Sequence, residues 1–269
     1  MANNHLAGII PVAGQPLEFN FPWHDCLMPV GQDYHAIEWA VHTAALAGCD
    51  TIWIVLDRAA APIIRKKLGE WVYDPEYVWK KPGPFKLKRE IPIYYIPIKT
   101  KDKGRRDSNA WSALYAGKAV TAVCNRISKW ACPDRYFVVS PYGIVDDQII
   151  KINREQIRSG QPIAYSYNGK TFKDNTYLPF VMTEKERKIC HEFCRVNNTG
   201  KDADKDWNYV FSAADIQKYD QLNPNWYHNI SNWQGYADLI GSNRCVRPKY
   251  MVTHKWYGLV KVKTEYLPD

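Results

Sequence analysis

Leu6-Ala-Gly-Ile-Ile-Pro-Val-Ala-Gly14 and Thr51-Ile-Trp-Ile-Val-Leu56 are apolar runs on either side of a helical stretch, and this arrangement decides the fold. The first run ends in Pro and Gly, as a buried strand does at a tight loop. The second is β-prone throughout, without polar alternation, which suits a parallel strand covered on both faces. Between them, Tyr34–Leu46 repeats apolar residues at Ala36, Ile37, Ala40, Val41, Ala44 and Ala45, a helical stripe. Asp33 is placed to cap that helix and Gly48 to stop it. Gln15–Asp25, with Pro16, Pro22 and no period, reads as a loop. Strand, helix, strand in this order is a right-handed βαβ unit.

The alternation continues through Ala60–Leu68 (helix), Ile91–Ile98 (strand), Ala110–Ile127 (helix), Tyr136–Ser140 (strand) and Asp147–Ser159 (helix). The expected class is α/β, a Rossmann-like, mainly parallel sheet flanked by helices. The second half is mixed. Ile163–Tyr167, Tyr177–Met182, Lys249–His254 and Tyr257–Val262 read as strands. Glu184–Arg195, Ser212–Tyr219 and Ser231–Ile240 read as helices, with a polar loop at Asn197–Asp206. No repeat, low-complexity tract or linker divides the chain, so 1–269 is taken as one domain.

Composition narrows the function classes. The 269 residues are 46% apolar and 24% charged, enough for a full core and against wholesale disorder. No uncharged apolar run approaches the ~18 residues of a membrane span. Met1–Gly14 has no basic leader, and seven cysteines, an odd number within apolar stretches, suit reduced thiols; a soluble cytoplasmic protein is expected. Cys190-His191-x-x-Cys194 lacks the second pair of a zinc site. The formal charge is +8, and between Lys80 and Arg106 ten basic residues face two acidic ones. That segment is a candidate nucleic-acid track, although its prolines interrupt a stacking platform. The 14% aromatic content (11 Trp, 18 Tyr, 8 Phe) points to large cores or to an interface with a protein partner or a second copy.

In open α/β sheets ligands bind beyond the carboxyl ends of the strands, and three loops qualify. Pro11, Val12, Ala13, Gly14 and Gln15 close the first strand, where a glycine lets backbone N–H groups approach phosphate. Lys99–Trp111 carries Lys103, Arg105 and Arg106 just ahead of a helix that Asp107 or Ser108 can cap, with Asn109 next. Cations beside free N–H groups make an anion site, and a solvated surface turn is the alternative. Ser140–Asp147 ends in Asp146 and Asp147, which serve either a divalent cation or the helix N-terminus that they begin. His228, in Trp226-Tyr-His-Asn-Ile-Ser231, is the one histidine placed near the proposed cleft. Walker-type, Gly-x-Ser-x-Gly and His-Glu-x-x-His motifs are missing from the sequence.

Together these stretches resemble the sugar-1-phosphate nucleotidyltransferases, a GT-A-like family that couples a nucleoside triphosphate to a sugar phosphate. Gly8–Gly14 is similar to the family's first strand and nucleotide loop, and Cys26-Leu-Met-Pro-Val-Gly31 to the stretch after its lysine. Ala36–Val55 is similar to its first helix and second strand, and Asp107–Ala116 to the helix that meets the base. Tyr136–Ser140 resembles the strand before the metal motif, and Trp226–Leu239 a late Trp-x-Asp segment. The resemblance implies a nucleotide-binding half at 1–160, a sugar-side half at 161–269, a nucleotide or nucleotide-sugar ligand and, for an active enzyme, Mg²⁺. It assigns Asp25 to the nucleotide, and Tyr142, His228 and Asn229 to the sugar side.

Four charged positions depart from the family pattern. Gly14 is followed by Gln15-Pro16-Leu17-Glu18 without arginine, and the family's lysine falls on Asp25. Its metal-motif aspartate falls near Pro141-Tyr142, and its late aspartate on His228 or Asn229. Phosphoryl chemistry needs cations for developing charge and carboxylates for Mg²⁺, and losing one such stabiliser commonly costs ~10²–10³ in rate. The departures therefore leave two readings open: a transferase with relocated ligands, or a catalytically degenerate relative (a pseudoenzyme) acting as a binding or assembly module. Nucleic-acid binding through 80–106 is a third. The first two require the turn after the first strand and the basic turn near residue 105 to share one cavity.

Overall fold

The computed structural model describes residues 5–12, 17, 19–79, 89–98, 108–127, 131–174, 176–197, 207–214, 216 and 218–248. Its elements run β1 (Leu6–Pro11), β2 (Pro29–Gly31), β3 (Tyr34–His35), α1 (Ala36–Leu46), β4 (Thr51–Leu56), α2 (Ala61–Leu68), β5 (Trp71–Tyr73), α3 (Pro75–Trp79) and β6 (Glu90–Pro97). They continue as α4 (Asn109–Ile127), β7 (Arg135–Val138), β8 (Gly143–Val145), α5 (Asp147–Ile152), α6 (Arg154–Arg158), β9 (Ile163–Tyr165) and β10 (Phe180–Thr183). The last are α7 (Glu184–Asn197), α8 (Trp207–Ala213), β11 (Asp220–Leu222), β12 (Tyr227–Asn229) and α9 (Trp233–Ser242).

Eight strands form one sheet in the order β11-β9-β10-β7-β1-β4-β6-β5. β7, β1, β4 and β6 are mutually parallel, while β10 and β5 run against their neighbours. The expected α/β class with a mainly parallel, helix-flanked sheet is what forms, and strands from both halves of the chain share it. Side-chain alternation divides the core in two. Leu6, Ile10, Ile52, Ile54 and Phe137 pack under α1, α2, α5, α6 and α9, while Ala7, Ile9, Trp53, Tyr136 and Val138 pack under α4, α7 and α8. The central strands are buried on both faces, which explains why they read as continuous apolar runs.

The sequence-based boundaries need correction in three places. Asp33 does not cap α1: it sits at φ 50° in the turn between β2 and β3, a conformation that Asp tolerates. The cap is His35, whose backbone N–H donates to Glu38 Oε2 at 3.1 Å. Gly48, at φ 82°, does end the helix as expected. The helix expected over Asp147–Ser159 breaks at Asn153, whose side-chain amide donates to the Ile149 carbonyl at 2.8 Å and so competes with the helical ladder. The helix expected at Ser212–Tyr219 instead runs over Trp207–Ala213, because Trp207 and Phe211 dock edge-on against Phe172 and Phe180. The strands expected at Lys249–His254 and Tyr257–Val262 lie outside the described residues.

At the amino-terminal edge of the parallel strands the chain builds an ionic cluster. Asp74 is fully buried and accepts from Arg154 through both oxygens, at 3.0 and 2.8 Å. Arg154 also donates to the carbonyls of Ala45 and Leu46, which closes the end of α1. Asp50, just ahead of β4, accepts from the Leu6 N–H and pairs with Arg89 and Arg158. Arg89, the one cation of the 80–88 and 89 run that is described, is thus held in the fold rather than left on an open track.

Candidate functional site

A cleft of about 400 Å³ opens at the opposite edge, beyond the carboxyl end of β7. Ser108, Asn109 and Ala110 bring the start of α4 to it, Val138 and Ser140 the end of β7, and Ser231 the turn after β12. Phe172, Tyr177, Leu178, Phe180 and Trp207 complete the wall. The volume lies within the ~300–1,000 Å³ of small-molecule sites.

Each wall has a local cause. Ser108 caps α4, its Oγ accepting the Trp111 N–H at 3.1 Å, so of the two caps the sequence allowed the described one is serine. Asn109 follows at the first turn, and its Oδ1 is buried without a hydrogen-bond partner. Such an acceptor costs about 1–3 kcal/mol unless something satisfies it. Phe172 and Phe180 stack with ring centres 3.9 Å apart, and Trp207 meets Phe180 edge-on at 4.9 Å. Tyr177 occupies the left-handed region at φ 56°, unusual for a bulky residue. Gly143 allows this, because a Cβ there would overlap the Tyr177 carbonyl. Strain of this kind, roughly 1–3 kcal/mol, collects at functional sites.

Among the described residues none that lines the cleft is charged. The cleft offers an aromatic wall, hydroxyls from Ser108, Ser140, Tyr177 and Ser231, and the amide of Asn109. This suits an uncharged planar or hydroxylated ring, which would take hydrogen bonds at its rim and apolar contact on its face.

The sequence-predicted residues divide around this cleft. Ser108 and Asn109 line it. Tyr142, His228 and Asn229 lie on the adjoining β8–β12 ribbon, where His228 pairs with Ile144 and Asn229 with Gly143. Tyr142 meets the wall through Tyr177, their rings 5.8 Å apart, and Asn229 Oδ1 accepts the N–H of Ser231 at 3.0 Å. Burial, with Arg244 nearby, holds the His228 imidazole below its ordinary pKa, and its Nε2 is buried without a partner. Pro11 and Val12 are buried at the end of β1, with the Val12 N–H bonded to Val55, and do not line the cleft. Asp25 is buried on the α1 side of the sheet, its Oδ2 accepting the Leu17 N–H at 2.7 Å. Ala13, Gly14, Gln15, Lys103, Arg105, Arg106 and Asp107 lie outside the described residues, as does the 80–106 segment apart from 89–98.

Asp146 and Asp147 are placed as helix starters. Asp146 Oδ1 accepts the Gln148 N–H, and its Oδ2 accepts from Asn225 at 2.7 Å, so both oxygens are engaged. Burial raises the Asp147 carboxyl above its ordinary pKa. Among the described residues no three His, Cys, Asp or Glu side chains gather around a common point. The described residues therefore form no all-protein cage of metal ligands. Sequence reasoning missed Phe172, Tyr177, Leu178, Phe180, Trp207 and Ser231, and the one available signal was the acid before an aromatic helix start at Asp206-Trp207.

Solved structures share this architecture. One is assigned as a glucose-1-phosphate thymidylyltransferase from Bacillus anthracis, in complex with a sucrose; it is 12% identical over 90% of this chain and 96% of its own, with a TM-score of 0.61. A UDP-glucose pyrophosphorylase complexed with UDP-glucose is 13% identical over 88% and 98%, with a TM-score of 0.57. A UTP-bound UGPase from Acinetobacter baumannii is 11% identical over 88% and 93%, also at 0.57. What they share with this chain is the fold. No family model matches the sequence, and no curated protein does. Among the described residues no helix is long and apolar enough to cross a membrane.

Proposed function

We propose that this protein binds a nucleotide or nucleotide-sugar, with an uncharged ring in the cleft and its phosphates towards the start of α4. The observation that carries this reading is the aromatic-walled cleft against the α4 N-terminus, uncharged among its described lining residues, where Asn109 Oδ1 has no hydrogen-bond partner among the described residues. A helix N-terminus favours anions, and in the sequence Arg105 and Arg106 directly precede it. Similar folds bound to UDP-glucose and to UTP support the ligand class. Transfer of a nucleotidyl group to a sugar phosphate is the reaction that such a ligand serves.

A second reading, a binding module without transfer, draws on Asp146, whose two oxygens are engaged inside the protein, and on Asp25, whose Oδ2 is. Seven free thiols suit a reducing, cytoplasmic setting for either. Calorimetry with UTP and UDP-glucose, with and without Mg²⁺, paired with a pyrophosphate-release assay using UTP and glucose-1-phosphate, separates them. Mg²⁺-dependent UTP binding with pyrophosphate release supports the transferase. Metal-independent UDP-glucose binding without release supports the module. If neither compound binds under any condition, the ligand class is wrong.

A further inference from the structure

Outside the cleft, the loop after β1 forms a stack of three aromatic rings. Phe19 and Phe21 lie 5.2 Å apart at 10°, and Phe21 and Trp23 lie 5.3 Å apart at 12°. Asn20, at φ 52°, turns the backbone between the first two rings, so the stack belongs to a folded loop rather than to a strand. Trp233, the first residue of α9, meets Phe19 edge-on at 4.8 Å and Phe21 at 5.9 Å. The stack runs from inside to outside. Phe19 is 7% exposed, Phe21 is half-buried and Trp23 is 49% exposed, with Trp233 at 55% beside it. A core cluster would bury its outermost indole, whereas this one ends in solvent.

The polar surroundings restrict what it can hold. Residues 19–27 and 227–243 contain no Lys or Arg, in a chain that has 36 of them. A nucleic acid is held first by cations on its phosphates, and these two stretches supply none. Asn20 and Gln234, both exposed, bring side-chain amides that donate to and accept from hydroxyl groups. Aromatic faces are electron-rich and attract polarised C–H groups. A ring with C–H bonds on its face and hydroxyls at its rim satisfies both features. We propose that Trp23, at the open end of a stack whose inner rings Trp233 meets edge-on, is a stacking site for an uncharged saccharide. It lies apart from the cleft, although Trp233 follows the cleft residue Ser231 by only two positions.

The test is calorimetric titration of the full chain with cellohexaose, xylohexaose and chitohexaose, whose equatorial substituents leave flat C–H faces. At least one should bind, and Trp23→Ala should weaken it about five- to tenfold. Trp23→Tyr, which keeps a ring, should lose less. UDP-glucose affinity should be the same in parent and variants, so failure of the cleft reading would leave this result standing. The proposal is overturned if none of the three oligosaccharides binds, or if Trp23→Ala binds as the parent does. It is equally overturned if sedimentation shows a parent dimer that Trp23→Ala dissolves, or if a thymidine oligonucleotide displaces the saccharide.

Discussion

At the amino-terminal edge of the sheet, Asp74, Asp50, Arg154, Arg89 and Arg158 pair with one another and with the end of α1, whereas the carboxyl-terminal edge is lined by aromatics, hydroxyls and one amide. At the first edge Asp50 and Asp74 each meet two cations. At the second, Asn109 Oδ1 is left without a partner and Tyr177 is held left-handed. The contrast is between an edge closed by paired charges and one whose described cleft lining is neutral and holds a strained backbone.

The largest effect should come from breaking the ionic edge. Arg154→Ala leaves Asp74 as a buried carboxylate without its main partner, and should cost about 3–5 kcal/mol in urea unfolding. Converting the pair together, Arg154→Met with Asp74→Leu, should recover most of that loss. A single-variant loss below about 1 kcal/mol would mean that the two edges do not differ as described. Gly143→Ala comes next: a Cβ pressed on the Tyr177 carbonyl should destabilise the protein by about 1–3 kcal/mol and weaken UDP-glucose binding as well. Arg154→Ala should leave that affinity unchanged per folded molecule.

Asn109→Ala sharpens the comparison from the other side. Removing an unpaired buried acceptor should leave the melting temperature unchanged or slightly raised, while affinity for UDP-glucose falls about two- to tenfold. Loss of stability without loss of affinity would make Asn109 part of the frame rather than of the site.

Acid acts on both regions at once, through histidines that burial keeps neutral. Burial holds His24 and His228 below the ordinary histidine value at the open edge, and takes His42 to about 3 and His191 to about 4 inside the helical layers. Because these rings are neutral when folded and take protons more readily when unfolded, their contribution is complete above pH 6.5 and fades as pH falls. Melting curves from pH 7.5 to 4 should shift downward accordingly, and His42→Asn should flatten the slope. A melting temperature that rises on acidification would contradict these environments.

The same comparison shows what could be read from the amino acids. β1, α1 and β4 were legible because strands buried on both faces carry unbroken apolar runs, and α4 because its stripe is long. β5, β8, β11 and β12 have three residues each, too few to display a period, so the edges of the sheet and the ribbon beside the cleft escaped notice. Half of the cleft was visible at Ser108 and Asn109 through capping logic. The aromatic half was not, because Phe172, Phe180 and Trp207 meet only through tertiary packing that also overrode the helix expected at 212–219. Asp146 was seen, but nothing local told a metal ligand from a cap, and the choice depended on Asn225 far along the chain.

β10 reverses direction beside β7, so the chain leaves β9 and re-enters β10 at the same edge, and residues 166–174 and 176–179 lie at the cleft rather than in a crossover beneath the sheet. Only the exposed tip of this segment, Asn168–Lys170, is free of the packing that seats α8 on Phe172, so length can vary there without shifting any strand. The rest of the segment is both wall and keystone: what shapes the cleft also holds the neighbouring helix in place.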